Sequence, residues 1–381
     1  MTTNAALTDT IRLLQVRHDD TELHWYITAI IIPDLSQVIE TLQICKNLLL
    51  YNSPQAPSPK DCIEKGPLLK LPISLHNKTD SLNGIVIRDG PYITDLSLTI
   101  KNQYFNKYVH KLQLSTPVIL EQIVNCLNSI NDSINLLQDL QSIDREFNDG
   151  VHNHNKLIET FEVLLHHIHD AKISLQIPTD PNLVFPLKVT NGKDFEPELS
   201  DHITVDFYTC DNQISLDAKC LHKITEKPWS EIDSTGKSFV DKLRDDMKLP
   251  SNTPSVHTIR TPSLHSSPVP SVNKPELQLP QEQPSPRVHP LTVSEIEKKV
   301  QEKTPNNTNF LSNIMNHLLL RDKPKAIDYI SRAITYNGMV VMVNKKFEVS
   351  TDDPILISIS SKLNYIEKKI NKFNTNINSL L

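Results

Sequence analysis

One segment of the chain ends like a phosphate-binding loop. Residues 234–238 read STGKS, and their Gly236-Lys237-Ser238 ending matches a P-loop, whose backbone N–H groups and lysine hold phosphate. The full motif requires a glycine five positions before Gly236, where this chain has Glu231. We therefore expect ordinary linker residues here and no nucleotide site.

A group of histidines is the second candidate for chemistry. Its members are His152, His154, His166, His167 and His169. On a helix, His166 and His169 would share one face beside Asp170, an arrangement that can supply zinc ligands and a carboxylate that orients them. Leu164 and Ile168 occupy the apolar positions of the same segment. The histidines are therefore expected at the surface, outside any metal site.

Composition excludes several classes of enzyme. The chain has 381 residues but only seven glycines, which argues against Rossmann and P-loop folds. Its net charge of -6 gives no sign of nucleic-acid binding. The five cysteines, including Cys210, are scattered and read as reduced thiols. We predict a cytoplasmic protein that is not an enzyme, with no catalytic, cofactor-binding or metal-binding residues.

The elements that would position these residues begin with four helices. Apolar residues at alternating steps of four and three predict helices packed along one stripe. The stripes are Ile31, Leu35, Val38, Leu42, Cys45, Leu49; Ile123, Leu127, Ile130, Ile134, Leu137; Leu157, Phe161, Leu164, Ile168, Ala171, Leu175; and Ile359, Leu363, Ile366, Ile370, Phe373, Ile377, Leu380. We predict an elongated antiparallel four-helix bundle from residues 19–52, 115–178 and 354–381.

The predicted helix ends carry recognisable signals. Asp19 and Glu22 resemble a capping box for the first helix, and Pro33 should kink it. Thr116-Pro117 and Asp353-Pro354 each read as an N-cap followed by the first helical position.

Strand patterns lie between the helices. Runs at 84–88, 92–101, 108–114, 182–189, 202–209 and 213–221 read as strands, and 339–349 as a hairpin turning near Asn344. Asp89-Gly90-Pro91 and Asp211-Asn212 supply turns. A β domain is therefore predicted from 82–114, 182–224 and 336–350. With the helices grouped apart from the strands, the class is α+β.

A proline-rich segment separates the last strands from the rest. Residues 250–290 hold ten prolines. Such a stretch cannot bury enough apolar surface to offset its ordering entropy. We predict a largely disordered Pro/Ser-rich insertion over 226–305, with short helices at 233–247 and 294–303. Its Ser/Thr-Pro pairs, at Thr253, Thr261, Ser267 and Ser285, are candidates for phosphorylation.

From Glu22 onward the chain resembles the Rogdi leucine-zipper family. Glu22-Leu23-His24-Trp25 and the zipper running to residue 50 look like the opening helix of that family. The resemblance continues through 84–100, 119–140, 155–178, 202–221 and 347–377. The chain departs from the family at Pro33 and in the insertion after residue 225.

The resemblance implies a function. Fungal members of the family are subunits of the RAVE complex, which regulates the V-ATPase by promoting reassembly of its peripheral sector onto its membrane sector. The implied partners are a large β-propeller subunit, a Skp-type adaptor, and peripheral-sector and stalk subunits of the pump. The implied location is cytoplasmic, with peripheral recruitment to vacuolar and early endosomal membranes. The zippers alone would also fit a coiled-coil adaptor or tether in vesicle traffic.

Overall fold

The computed structural model describes residues 21–78, 80–143, 154–176, 178, 180–247 and 326–380. They divide into two compact units. The first unit comprises Met1–Cys220 with Asn344–Leu381, and the second comprises Leu221–Val343. Asp19 and residues 248–305 of the predicted insertion lie outside the described part.

Four long helices belong to the first unit, and two short ones to the second. The long helices are α1 (Thr21–Tyr51), α2 (Glu121–Ile143), α3 (His154–Ser174) and α6 (Pro354–Leu380). The short ones are α4 (Phe239–Met247) and α5 (Ala326–Arg332). The predicted apolar stripes are buried along the long helices, except that Leu380 is half-buried. The 4-3 spacing therefore identified the helices and their inward faces.

The structure bears on two predicted features of the helices, the kink at Pro33 in α1 and the start of α2 at Thr116-Pro117. A π turn at Ile27–Ile31 lies ahead of Pro33 in α1, where the Ile32 N–H donates to the Ile27 carbonyl. This wider turn accommodates a proline that cannot donate to the turn before it. The start predicted for α2 at Thr116-Pro117 is wrong. Strand β5 (Val118–Ile119) intervenes, because its backbone pairs with Tyr92 and Ile93.

The first sheet lies wholly in the first unit. Its strands are β1 (Leu69–His76), β2 (Ser81–Asp89), β3 (Tyr92–Lys101), β4 (Lys111–Leu114), β5 and β6 (Phe195–Glu196). The order is β1-β2-β3-β4-β6, with β5 also paired to β3. The sequence prediction missed β1 because Pro72 interrupts its alternation. An edge strand tolerates that proline.

The second sheet has the order β7-β8-β10-β9. Its strands are β7 (Ile203–Cys210), β8 (Gln213–Lys223), β9 (Ala333–Tyr336) and β10 (Met339–Asp352). The predicted turn near Asn344 is wrong, since β10 runs straight through it. The chain turns instead at Asn337-Gly338, where both residues have positive φ, as a two-residue hairpin requires.

The strand predicted over 182–189 is also wrong. A 3-10 turn, Pro181–Leu183, lies at its start. Prolines at 181 and 186 remove backbone N–H donors that a paired strand would need.

The second unit has a small core of its own. Ile224, Val240, Tyr329 and Val340 are among its buried residues, and the Trp229 ring stacks on Tyr329 at 4.8 Å between centroids. Residues 226–247, which the sequence analysis assigned to the insertion, supply part of this core.

The α+β class fits the structure, but the predicted architecture of an elongated antiparallel four-helix bundle is wrong. The described residues form two antiparallel sheets and six α-helices. In the first unit, helix and strand side chains belong to one continuous core, which includes Leu42, Phe161, Val86, Ile93 and Leu216. Because buried strand residues pack in the same core as the helical stripes, the helices do not enclose a separate core.

A buried ion pair joins the first sheet to the last helix. Arg88 on β2 and Asp353 before α6 are both fully buried, with 2.6 Å between Arg88 Nε and Asp353 Oδ2. Asp353 Oδ1 also accepts the backbone N–H groups of Ile355 and Leu356. The N-cap predicted at Asp353-Pro354 is therefore confirmed, and the same carboxylate neutralises Arg88.

We predict that Asp353→Asn destabilises the protein by about 3–5 kcal/mol, because it leaves Arg88 buried without a counter-charge. Asparagine still caps the helix, so the loss reports the ion pair. Urea unfolding followed by circular dichroism measures it. Asp34→Asn, which removes an ion pair between Asp34 and Lys369 at a more exposed carboxylate, should cost less than about 1 kcal/mol.

The double variant Arg88→Met with Asp353→Ser separates charge from packing. It removes both charges and keeps a capping hydroxyl, so it should recover most of the lost stability. A double variant as unstable as Asp353→Asn would show that the charges are not the cause.

The two faces of α6 should respond differently to the same substitution. Leu363 is fully buried and Ile357 is 48% exposed. Leu363→Asp places an unpaired carboxylate in the core at a cost of several kcal/mol, so we expect loss of soluble folded protein. Ile357→Asp should leave soluble yield and the thermal midpoint nearly unchanged. Equal effects would contradict this orientation of the helix.

Candidate interaction surface

In the loop that resembles a phosphate-binding motif, the polar groups already bond to other groups of the same chain. The Asp233 carboxylate accepts the backbone N–H groups of Thr235 and Lys237, at 2.8 and 3.0 Å. The Lys237 ammonium lies 2.7 Å from Asp245. Ser238 caps α4 through a reciprocal pair of hydrogen bonds with Asp241. The donors that would hold phosphate thus stabilise a turn and a helix start.

The histidines of α3 lie at the surface, as the sequence predicted. His166 and His169 are exposed, and His166 Nδ1 lies 3.3 Å from Asp170. Within the described residues, no three His, Cys, Asp or Glu side chains converge as a metal set. His152 and the side chain of His154 are outside the described part.

Three of the five cysteines, Cys45, Cys126 and Cys220, are buried in the first unit, whereas Cys210 is half-buried and Cys62 is exposed. Burial raises the pKa of the Cys45 thiol to about 12, and burial likewise raises the pKa of Cys210. A raised pKa keeps the sulfur protonated and unreactive at neutral pH.

A cluster of charges lies within the second sheet. Lys219 donates to Asp217 at 2.7 Å, and Lys346 lies 3.3 Å from the same carboxylate. Asp206 lines a small pocket of about 230 Å³, with its Oδ2 3.9 Å from the Lys219 ammonium. Burial raises the pKa of Asp206 to about 6, although Lys219 opposes the shift. The lysines and carboxylates of this cluster largely neutralise one another, as buried charges with a structural role do.

An exposed aromatic surface lies where α1 and α6 pack side by side. The Asn376 amide donates to the Tyr26 hydroxyl at 2.7 Å, and Lys369 lies 3.0 Å from Asp34. Since Tyr26 and Asp34 meet residues in reverse order along α6, the helices are antiparallel. A groove of about 590 Å³ lies along them, which we call the α1–α6 groove. Its lining includes Trp25, Ile30, Tyr365, Lys368, Lys372 and Phe373.

Large apolar side chains on this groove face solvent. Trp25 is 58% exposed, Tyr365 50% and Ile30 37%. A second depression on α6 includes Ile357 and Ser361 and shares Tyr365 with the groove. Spacings of four residues place Ile357, Ser361 and Tyr365 on one outward stripe of the helix.

The groove is positively charged. Nearby carboxylates are already paired, Asp34 with Lys369 and Glu367 with Lys172 at 2.7 Å. Lys368 and Lys372 are exposed and pair with no carboxylate among the described residues. This surface was not predicted from the sequence. In the sequence, Trp25 was noted only as part of the resemblance to a family. Its exposure follows from the packing of α6 beside α1.

Helix α1 also meets a simple criterion for a membrane span. Its most apolar 18 residues have a mean hydropathy of 1.3, and it is the one described helix that is long and apolar enough. The core helix of a soluble protein can meet the same criterion. The stripe from Ile31 to Leu49 is packed in the core.

Comparison with known proteins agrees with the pattern of zippers and strands. Residues 22–378 match the family described as Rogdi leucine zipper containing protein. The chain is also 22% identical over 374 residues to "Regulator of V-ATPase in vacuolar membrane protein 2" of Saccharomyces cerevisiae (strain ATCC 204508 / S288c). That alignment covers 93% of this chain and 90% of the relative. The resemblance seen in the sequence is confirmed, and the chain belongs to the Rogdi leucine zipper family.

Proposed function

We propose that this chain is a non-catalytic subunit of a RAVE complex. In that role it promotes reassembly of the peripheral sector of the V-ATPase onto the membrane sector, and so supports vacuolar and endosomal acidification. The observation that carries the proposal is the likeness to the yeast V-ATPase regulator, which extends over 93% of this chain and 90% of the relative. A likeness of that extent includes both units, so it is not limited to one helix that the two proteins share.

Action by contact, without chemistry, is supported by the state of the candidate residues. Asp233 holds the N–H groups of the P-loop-like segment, and Lys237 pairs with Asp245. His166 lies on an exposed helix face, and burial raises the pKa of Cys210. The exposed aromatics of the α1–α6 groove are instead the residue types that dominate binding energy at protein interfaces.

The proposed partners follow from the same role. They are a large β-propeller subunit, a Skp-type adaptor, and peripheral-sector and stalk subunits of the pump. In this proposal the chain is cytoplasmic and reaches vacuolar and early endosomal membranes through these partners. Stable contacts of this kind typically bury roughly 1,200–2,000 Å².

Deletion of the gene should leave the V-ATPase subunits present but poorly assembled, because a binding factor acts on association and not on synthesis. Immunoblots of isolated vacuoles should show a lower ratio of peripheral-sector to membrane-sector subunits. A ratiometric dye should report a less acidic vacuole, and growth should fail at elevated pH or calcium. An unchanged sector ratio would contradict the proposal.

A rescue experiment tests the non-catalytic part separately. A chain with His166, His169, Cys210 and Lys237 all changed to Ala should restore acidification, because these side chains hold only weak surface or packing contacts. The native chain is the matched control. Failure of a folded, abundant variant to rescue would indicate chemistry at one of these residues. Co-purification of tethering or SNARE proteins, without V-ATPase subunits, would favour the vesicle-traffic alternative.

A further inference from the structure

We propose that the α1–α6 groove is a docking site for an acidic, amphipathic helix of another protein. This inference goes beyond the proposed function, because it concerns the chemistry of one surface whichever complex the chain joins. It depends on the shape, the apolar side chains and the charge of the groove.

The shape of the groove suits a helix. It lies between two antiparallel helices, whose side-chain ridges leave a channel that a third helix can enter. The residues of α6 that line the groove run from Tyr365 to Asn376, which is eleven residue steps, or about 16 Å at about 1.5 Å per residue. A docked helix of about three turns would match that length.

The apolar side chains supply anchors. Trp25 and Tyr365 project from different helices into the same groove, with Ile30 beside them and Phe373 buried in its floor. Tryptophan and tyrosine in a concave, partly desolvated setting are the residues most often found as binding hot spots. An apolar stripe on the partner would cover them.

The charge of the groove selects an acidic partner. Lys368 and Lys372 lie one turn apart on the exposed face of α6, with the nearby carboxylates of Asp34 and Glu367 already paired to other lysines. Aspartate or glutamate at matching positions on the docked helix would complete the two ion pairs. Such complementarity sets orientation and excludes basic partners.

A protein partner fits these features better than an anionic membrane. The surface is a groove, whereas a bilayer covers flat or convex faces. Each lysine near an anionic bilayer contributes only about 1 kcal/mol, and the two exposed lysines, Lys368 and Lys372, fall short of a polybasic patch.

Site-specific photo-crosslinking in cells tests the proposal with the full chain. The photoreactive probe p-benzoylphenylalanine replaces Tyr365 in one strain and Tyr92 in another. Tyr92, on β3, is 44% exposed and serves as the matched control. We expect crosslinking at 365, with mass spectrometry identifying an acidic amphipathic helical segment of another protein, and little crosslinking at 92.

Two sets of substitutions examine the contacts. Lys368→Glu with Lys372→Glu should lower the crosslink yield at 365 by about tenfold, since two attractive contacts become repulsive. The control pair Lys101→Glu with Lys111→Glu, on the first sheet, should not change it. Trp25→Ala should weaken capture by about 30-fold, the loss typical of a hot-spot tryptophan. Urea unfolding of each variant confirms that the exposed substitutions leave the fold intact.

Several outcomes would overturn the proposal. These are capture of residues 1–20 of the same chain, of a second copy, or of a segment that is neither acidic nor helical. Another contrary result is that the chain floats with vesicles of phosphatidylcholine and phosphatidylserine and loses that flotation when Lys368→Glu and Lys372→Glu are combined. That result would assign the groove to membrane binding. Equal yields at 365 and 92, or no crosslink at all, would also reject it. Capture of an acidic helix without any effect of gene deletion on pump assembly would retain this inference and reject the proposed function.

Discussion

The fold of the first unit depends on one buried charge pair. Arg88 and Asp353 are 265 positions apart in sequence and fully buried in the structure. Neither charge could be buried alone without a cost of several kcal/mol, so β2 and the start of α6 must meet. The Arg88 guanidinium also donates to the Gly90 carbonyl, in the turn that follows β2. Gly90 has a positive φ, and a Cβ there would lie 2.6 Å from the Leu50 carbonyl. The end of α1, the β2–β3 turn and the first turn of α6 therefore converge at one point.

The position of the α1–α6 groove depends on how the contacts around Arg88 and Asp353 place α6. Once its first turn is held by Asp353, the helix runs antiparallel to α1, with Tyr26 beside Asn376 at the far end. The buried stripe from Ile359 to Ile377 occupies the inner face of α6. Ile357, Tyr365, Lys368 and Lys372 are left facing outward. The surface is thus a consequence of one anchored helix start and a helical period of 3.6 residues.

The sequence was informative wherever structure depends on neighbours along the chain. The apolar stripes, the cap at Asp353-Pro354 and the Asp211-Asn212 turn were all predicted, because each reflects side-chain spacing or a local hydrogen bond. The predicted start of α2 was wrong because a distant strand competes for the backbone. Thr116-Pro117 would cap a helix in isolation, yet the Thr116 N–H donates to the Asp194 carbonyl and β5 pairs with β3.

By itself, the sequence determined the α+β class, the inward face of each long helix and the resemblance to the Rogdi family. Only the tertiary structure decided that two antiparallel sheets share a core with the helices, that Arg88 pairs with Asp353, and that Trp25 and Tyr365 line one groove. The physical reason is the range of the interactions. Hydrophobic periodicity identifies a face that must be covered, but burial is non-directional and does not specify the covering element. That choice rests on the pairing of charges and strands far apart in the chain.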